Sequence, residues 1–515
     1  MPLQALGDDV LLKILSTCDV YTALSVSAVN KSLRCVALAK QLWLSLAQDL
    51  AFRALLDIPP AEELQTCSTE DLIAEVKRVV AGPASWSPAS SSRPALHRQL
   101  KFNMCANADD LIHFRLLPGG RYTVLRTRKD LRICEVRTGR NIWTHVADYP
   151  FTTWSIDLVA GGDTARLLLL PIDHSGSPDI SVQEVDLTSG QSREVFSFEL
   201  KTRLERWMSS ILGDFFVFAL QPSNPVQMIF LLVNWRAQTY VVLNYFGRSY
   251  STAQAVLLPG YIVVTYADGA PAHQQLLAVT ALSSLAPHWN TLEGISLNNQ
   301  LSSKKIPFAA HERLEFENQP LCNTTTYLTL SVFASPLHRD TYRVAVYACE
   351  NESTEAPSQS HAARVGQSLG FGPPVHGPRA ALLSYSLAPP TSPAGPLEWR
   401  LASAVRAAPA LSSPCISYSG YCMNAGEDDE EERPGAGTAI VDARRARAGA
   451  EWARTRTVMK RQRGWERMYL SPSSGAVIAL MFWAAPRNFG ECLRIGCLRT
   501  GWAKMAWIWG YYNKE

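Results

Sequence analysis

The sequence predicts a multidomain chain with helices first, followed by a repeated β body of the propeller kind. Three observations carry this expectation. The first fifty residues hold apolar side chains at helical spacing. From about residue 96 the pattern changes to short strands between turns. Within that region Val136, Val185, Val233 and Val279 mark equivalent points 49, 48 and 46 residues apart. A period of about 40–50 residues with four strands per repeat is what a propeller gives.

Bulk properties fit this organisation. The chain has 515 residues. A single core rarely grows past about 250–300 residues, so two units or a repeat architecture are expected. Hydrophobic residues make up 47% and charged residues 18%, which describes a globular protein, and the net charge of +3 argues against nucleic-acid binding by the whole chain. No apolar run reaches the roughly 18 residues that span a bilayer, so no membrane partner is expected. The longest apolar runs are Phe215–Leu220, Met228–Val233 and Ala476–Ala485, and the first two read as buried strands. Asp8 and Asp9 interrupt the N-terminus and no basic region precedes it, so it does not read as a secretory signal. The eleven cysteines include no Cys-x-x-Cys pair. A reducing, cytoplasmic or nuclear setting is the expectation. Cys492 and Cys497 lack a second ligand pair, so no metal site is expected.

The helices follow in order. Asp8 can cap a helix and Asp9 favours its positive end. Val10, Leu11, Ile14 and Leu15 then form one apolar stripe. After a turn at Thr17–Asp19, a second helix carries Val20 and Leu24. Asn30 can cap a third with Leu33, Val36 and Ala37, and Gln41–Leu50 continues as a fourth with Leu42, Trp43 and Leu46. Periodicity alone also fits a plain helical bundle.

The order of features narrows this. A Leu-x-Asp-Asp-Val-Leu opening precedes an Asp-Val-x-x-x-Leu middle, then Val-Asn-Lys-x-Leu-Arg and a closing Leu-Trp at 42–43. Together they resemble an F-box, of the fungal type, over residues 4–50. F-boxes usually open Leu-Pro, whereas Gly7 follows Leu6 here. The resemblance implies docking to a Skp-type adaptor and, through it, a cullin and a RING subunit. Matched residue by residue, the implied adaptor contacts are Leu6, Val10, Leu11, Ile14, Leu15, Val20, Leu24, Val29, Leu33 and Trp43. Some of these must instead hold the small bundle together, and the sequence does not divide the two groups.

Residues 51–95 read as a helical extension and linker. Ser68 or Thr69 can cap Glu70–Val80, Gly82-Pro83 ends that helix, and Ser85–Pro94 is Ser/Pro-rich. Residues 96–425 read as the propeller-like domain. Tyr122–Arg126, Leu131–Arg137 and Asn141–His145, with a Thr-Gly turn at 138–139, resemble the outer part of a WD-like blade. Similar hairpins run Ser181–Leu187 to Glu194–Glu199, and Met228–Trp235 to Thr239–Tyr245. Leu276–Leu282 leads to Ser283-Ser284 and later Trp289. Leu328–Phe333, Tyr342–Ala348 and Ala381–Leu387 suggest further blades. No Gly-His…Trp-Asp signature is present, so the propeller would be degenerate, and an irregular pair of β-sandwiches is the alternative.

Segments 351–378 and 389–396 read as loops. Residues 426–465 pair an acidic run, Glu427–Glu432, with an arginine-rich stretch from Arg444 to Arg463, expected to be disordered or helical. Residues 466–515 read as strands, a possible closing blade, and an aromatic tail with Trp502, Trp507, Trp509, Tyr511 and Tyr512.

No Gly-x-Ser-x-Gly, Walker loop or His-Glu-x-x-His is present, and the ten histidines are dispersed. No catalytic residue, cofactor or metal is therefore expected. The resemblance implies a non-catalytic substrate-recognition subunit of a Skp–cullin–F-box ubiquitin ligase, with an unknown protein substrate on the β body. The alternatives are a scaffold without a role in ubiquitin transfer and a propeller enzyme.

Overall fold

The structure is a computed structural model. It describes residues 6–56, 61–82, 99–100, 111–127, 130–136, 138–146, 151–171, 179–199, 205–221, 228–245, 253–267, 274–293, 310–316, 319–321, 325–350, 380–388, 398–407, 415–419, 421–424, 437–442, 457–460, 465–470, 477–483, 492–498 and 507–511.

Among the described residues six helices come first: α1 Asp8–Thr17, α2 Val20–Ser27, α3 Lys31–Ala37, α4 Lys40–Phe52, α5 Ala61–Thr66 and α6 Thr69–Ala81. Their boundaries follow local chemistry. Asp19 caps α2 by accepting from the Thr22 amide at 2.8 Å, and Asn30 caps α3 by accepting from the Leu33 amide at 2.8 Å. Ser68 and Asp71 form a reciprocal capping box on α6. The expected Asp8 cap is replaced by Gly7, and Asp8 and Asp9 lie inside the first turn of α1, where they favour the dipole. One core joins all six helices, from Leu11 and Leu15 through Trp43, Leu46 and Leu50 to Leu64, Leu72, Val76 and Val79. The helical unit therefore extends past residue 50 to the end of α6.

The β body is a degenerate propeller. A two-residue strand, β1 Gln99–Leu100, precedes its blades. The first blade is β2 Leu111–Leu116, β3 Tyr122–Thr127, β4 Asp130–Glu135 and β5 Asn141–Val146. The second is β6 Phe151–Leu158, β7 Thr164–Pro171, β8 Asp179–Asp186 and β9 Ser192–Glu199. The third is β10 Glu205–Leu212, β11 Phe215–Gln221, β12 Met228–Asn234 and β13 Thr239–Tyr245. Each is antiparallel with strands in sequence order. The fourth begins with β14 Gln254–Leu258, β15 Tyr261–Ala267 and β16 Gln275–Ala281. The chain then makes a 3-10 turn, Leu282–His288, and adds β17 Asn290–Thr291 to the outer edge of the third blade. It returns as β18 Ala310–Arg313 to complete the fourth. Trp289, expected beside the β16 hairpin, instead packs at a tilt against Phe215 of the third blade, the ring centroids 5.9 Å apart.

A short ribbon, β19 Glu315–Phe316 with β20 Gln319–Pro320, leads to the fifth blade: β21 Thr325–Ala334, β22 Tyr342–Glu350, β23 Ala380–Ala388 and β24 Glu398–Ala407. The sixth is β25 Cys415–Ile416, β26 Tyr421–Asn424, β27 Gly437–Asp442 and β28 Thr457–Lys460. Segment 426–465 thus supplies strands, its Thr438–Val441 stretch having the β-branched character of one. The last sheet holds β29 Trp465–Leu470, β30 Val477–Trp483, β31 Cys492–Leu498 and β32 Trp507–Tyr511, and β1 pairs with β31. The expected linker 85–94, the loops 351–378 and 389–396, the acidic run, Arg444–Arg456, Arg461, Arg463, Trp502 and Tyr512 lie outside the described residues.

Innermost strands meet at five junctions of the ring: β6 with β10, β10 with β14, β14 with β21, β25 with β29, and β29 with β2. Shared cores join the other two, Val124 and Ile133 with Leu167 and Leu169 between the first and second blades, and Phe333 and Tyr347 with Ile416 and Tyr418 between the fifth and sixth. Side-chain alternation explains the packing. Along β11, Phe216, Phe218 and Leu220 face the second blade, while Val217 and Ala219 face the fourth. A strand buried on both sides has no polar face, so β11 reads as a continuous apolar run.

Candidate functional site

The helical module divides its apolar side chains between an inner and an outer set. Leu11 and Leu15 occupy the inner face of α1, one turn apart, and are buried with Val20 and Leu33. Trp43 is 1% exposed, and its Nε1–H donates to the Ala37 carbonyl at 2.9 Å. These five residues sit in the module's own core. Leu6 is half-buried against the same core. Val10 (49% exposed) and Ile14 (43%) lie one turn apart on the outer side of α1. Leu24 of α2 is 37% exposed, and Val29, in the turn before α3, is 67% exposed. The stripe at positions 10, 11, 14 and 15 is wide enough to serve core and surface at once.

Gly7 takes φ −64° and ψ 152° as it enters α1, and nothing lies within 4 Å of where its Cβ would stand. This is a backbone that proline adopts without strain.

Two further exposed aromatics, Tyr21 and Phe52, face the propeller. Phe52 meets the Gly161 turn between β6 and β7: a Cβ on that glycine would stand 3.5 Å from the ring. Ala54 stands similarly against Gly119, in the turn between β2 and β3. Both glycines have positive φ. The third contact is the turn Ser335–Thr341 between β21 and β22. There the Tyr21 amide donates to the Leu337 carbonyl at 3.1 Å, the Tyr21 and His338 rings are 4.6 Å apart, and His338 Nδ1 is 3.4 Å from Asp19. Burial pushes the Asp19 carboxyl up, but hydrogen bonds from Thr22 and the neighbouring His338 hold it below its usual value. These turns all join a first to a second strand, so they share one face of the ring. Two adjacent blades, the first and second, and a third one, the fifth, are touched. A lone leucine among polar residues, in Ser-Pro-Leu-His-Arg-Asp, was the available sequence signal for the third contact.

Among the described residues, no group of three or more His, Cys, Asp or Glu side chains could hold a metal ion, and no helix is long and apolar enough to cross a membrane.

No family model matches this sequence, and no curated protein matches it. Similar solved structures include the WD40 domain of SCAP from fission yeast, at 9% identity, with 79% of this chain and 77% of that one covered and a TM-score of 0.28. A eukaryotic initiation factor is similar at 13% identity over 82% and 97% of the two chains, TM-score 0.34. Hsv2 of Kluyveromyces lactis is similar at 10% identity over 82% and 98%, TM-score 0.35. The assignment to the propeller fold rests on this chain's own strand order and ring closure.

Proposed function

We propose that this protein is a substrate-recognition subunit of a Skp–cullin–F-box ubiquitin ligase. The helical module docks the adaptor, and the propeller holds a target protein. The observation that carries this is the outer apolar set, Val10, Ile14, Leu24 and Val29, on a module whose core is already complete without it. Exposed aliphatic residues on short helices suit a partner that offers a helical groove. The chain contributes placement, while the transfer chemistry belongs to the RING subunit and its charged partner.

The test is adaptor binding by the full chain, compared with Val10→Asp plus Ile14→Asp. Each side chain is about half covered already, and full burial is worth roughly 1.5–3 kcal/mol. Losing the two remaining halves weakens binding by about 2 kcal/mol, or roughly thirtyfold, and burying the new carboxylates adds to the loss. Both sites are solvent-facing, so the variant is expected to keep its fold. Adaptor that fails to bind folded wild type, or binds the variant equally, refutes the proposal. The second reading, a scaffold without ubiquitin transfer, is supported instead if adaptor binds and cullin is never recovered with it.

A further inference from the structure

The propeller completes three helix ends of the module. The Tyr21 amide lies in the first turn of α2, where amides have no partner inside the helix. It donates to the Leu337 carbonyl. The Thr17 carbonyl ends α1, and it accepts from Arg339 Nη1 at 3.3 Å, with the guanidinium at the favourable end of the dipole. The Phe52 carbonyl ends α4, and it accepts from the Gly161 amide at 2.9 Å. Two of the three come from the single turn Ser335–Thr341.

That turn is built for the task. In blades one to four the same connection carries a positive-φ glycine at Gly119, Gly161, Gly213 and Gly260. In the fifth blade it is a longer excursion. Ser335 Oγ accepts from the amides of Leu337 and His338 at 3.2 and 3.1 Å, and the Ser335 amide donates to the Thr341 carbonyl at 2.7 Å. Ser335 Oγ also lies 3.3 Å from the Tyr418 hydroxyl of the sixth blade. So shaped, the turn offers Leu337, which packs against the module's core. Around it stands a polar rim: His338 with Asp19, Arg339 with Asp49 at 3.3 Å, and Arg53 donating to the Ser335 carbonyl at 3.0 Å.

We propose that the turn Ser335–Thr341 is a clasp, with Leu337 as its plug, that fixes the helical module on the propeller so that the two move as one body. It sets the direction in which Val10 and Ile14 face relative to the ring. The proposal stands on these contacts and does not depend on which partner the module binds.

Hydrogen exchange on the full chain tests it. The Tyr21 amide reports the clasp at α2, and the Gly161 amide reports the end of α4, on another blade. Leu337→Asp places a charge in the plug and is expected to speed exchange at both amides together, by about tenfold or more. Amides of β11 and β12 keep their wild-type exchange and show that the propeller is intact. Joint acceleration supports the clasp. Acceleration at Tyr21 with Gly161 unchanged, or no change at either, overturns it. If Leu337→Asp does not fold, His338→Ala plus Arg339→Ala decides alone by the same joint or separate behaviour of the two amides.

Discussion

Gly7→Pro tests whether the start of α1 is shaped as the F-box resemblance implies. Proline needs φ near −65°, a free space for its ring and no use for the amide it removes. Gly7 has φ −64°, an open Cβ site and, among the described residues, no acceptor for its N–H. Its carbonyl, which proline keeps, accepts from Val10 at 3.0 Å and Leu11 at 3.1 Å. The substitution therefore acts mainly on the unfolded chain, whose freedom at this position it removes. A compatible glycine or proline replacement stabilises by about 0.4–1 kcal/mol, so exchange at the Leu11 and Leu15 amides is expected to slow by roughly two- to fivefold. Faster exchange there would mean that proline clashes with the chain entering α1, and would refute the geometry. Unchanged exchange would mean that the openings exposing these amides leave residue 7 in its folded conformation, and would refute the premise that α1 opens from its N-terminal end.

Two further outcomes follow from the buried and capped groups. Trp43→Phe leaves the Ala37 carbonyl without its donor and a gap beside it, and is expected to cost about 1–3 kcal/mol in denaturant unfolding of the module; a cost under about 0.5 kcal/mol would contradict the packing. For pH, Asp19 and Asp186 both titrate below their usual 3.8 when folded. Asp19 does so despite burial, through Thr22 and His338. Asp186 is drawn to about 2 by hydrogen bonds from Thr188 and Ser189. Depressed carboxylates stabilise above the unfolded value and lose that contribution as pH falls through the folded one. The carboxylate titration seen at the Thr22 and Thr188 amides is therefore expected to have its midpoint below 3.8, that at Thr188 at about 2. A carboxylate midpoint above 3.8 would contradict the geometry at that site.

The repeat was legible because its phase follows the end of a blade's third strand. Val136 lies one residue past β4, while Val185, Val233 and Val279 lie one or two residues inside the ends of β8, β12 and β16, and all four are buried. The central apolar runs were legible too, since a strand between two blades shows no polar alternation. The fourth strand of the fourth blade was not. Trp289 follows β16 closely enough to suggest a hairpin, yet its ring finds Phe215 on the neighbouring blade and the pairing strand arrives only at Ala310. Nor could spacing alone separate Leu11 from Val10 or Leu15 from Ile14. Each pair is adjacent in sequence and equally apolar, and only the packing of α3 and α4 decides which member turns inward.

The geometry of α1 also bears on how the two candidate surfaces coexist. Its C-terminal end, at Thr17, is held by Arg339 of the clasp, while Val10 lies seven residues toward the other end. At 1.5 Å per residue the outer patch at Val10 is about 10 Å along the helix from the propeller contact. A partner seated over Val10 can therefore dock without displacing Leu337. This favours a clasp that orients the module over one that hides its binding face. Val10 and Leu337 are expected to behave independently, as groups more than about 7–10 Å apart with no shared partners usually do. Val10→Asp should weaken adaptor binding without freeing the Gly161 amide, and Leu337→Asp should free that amide while leaving the intrinsic adaptor affinity of α1 in place.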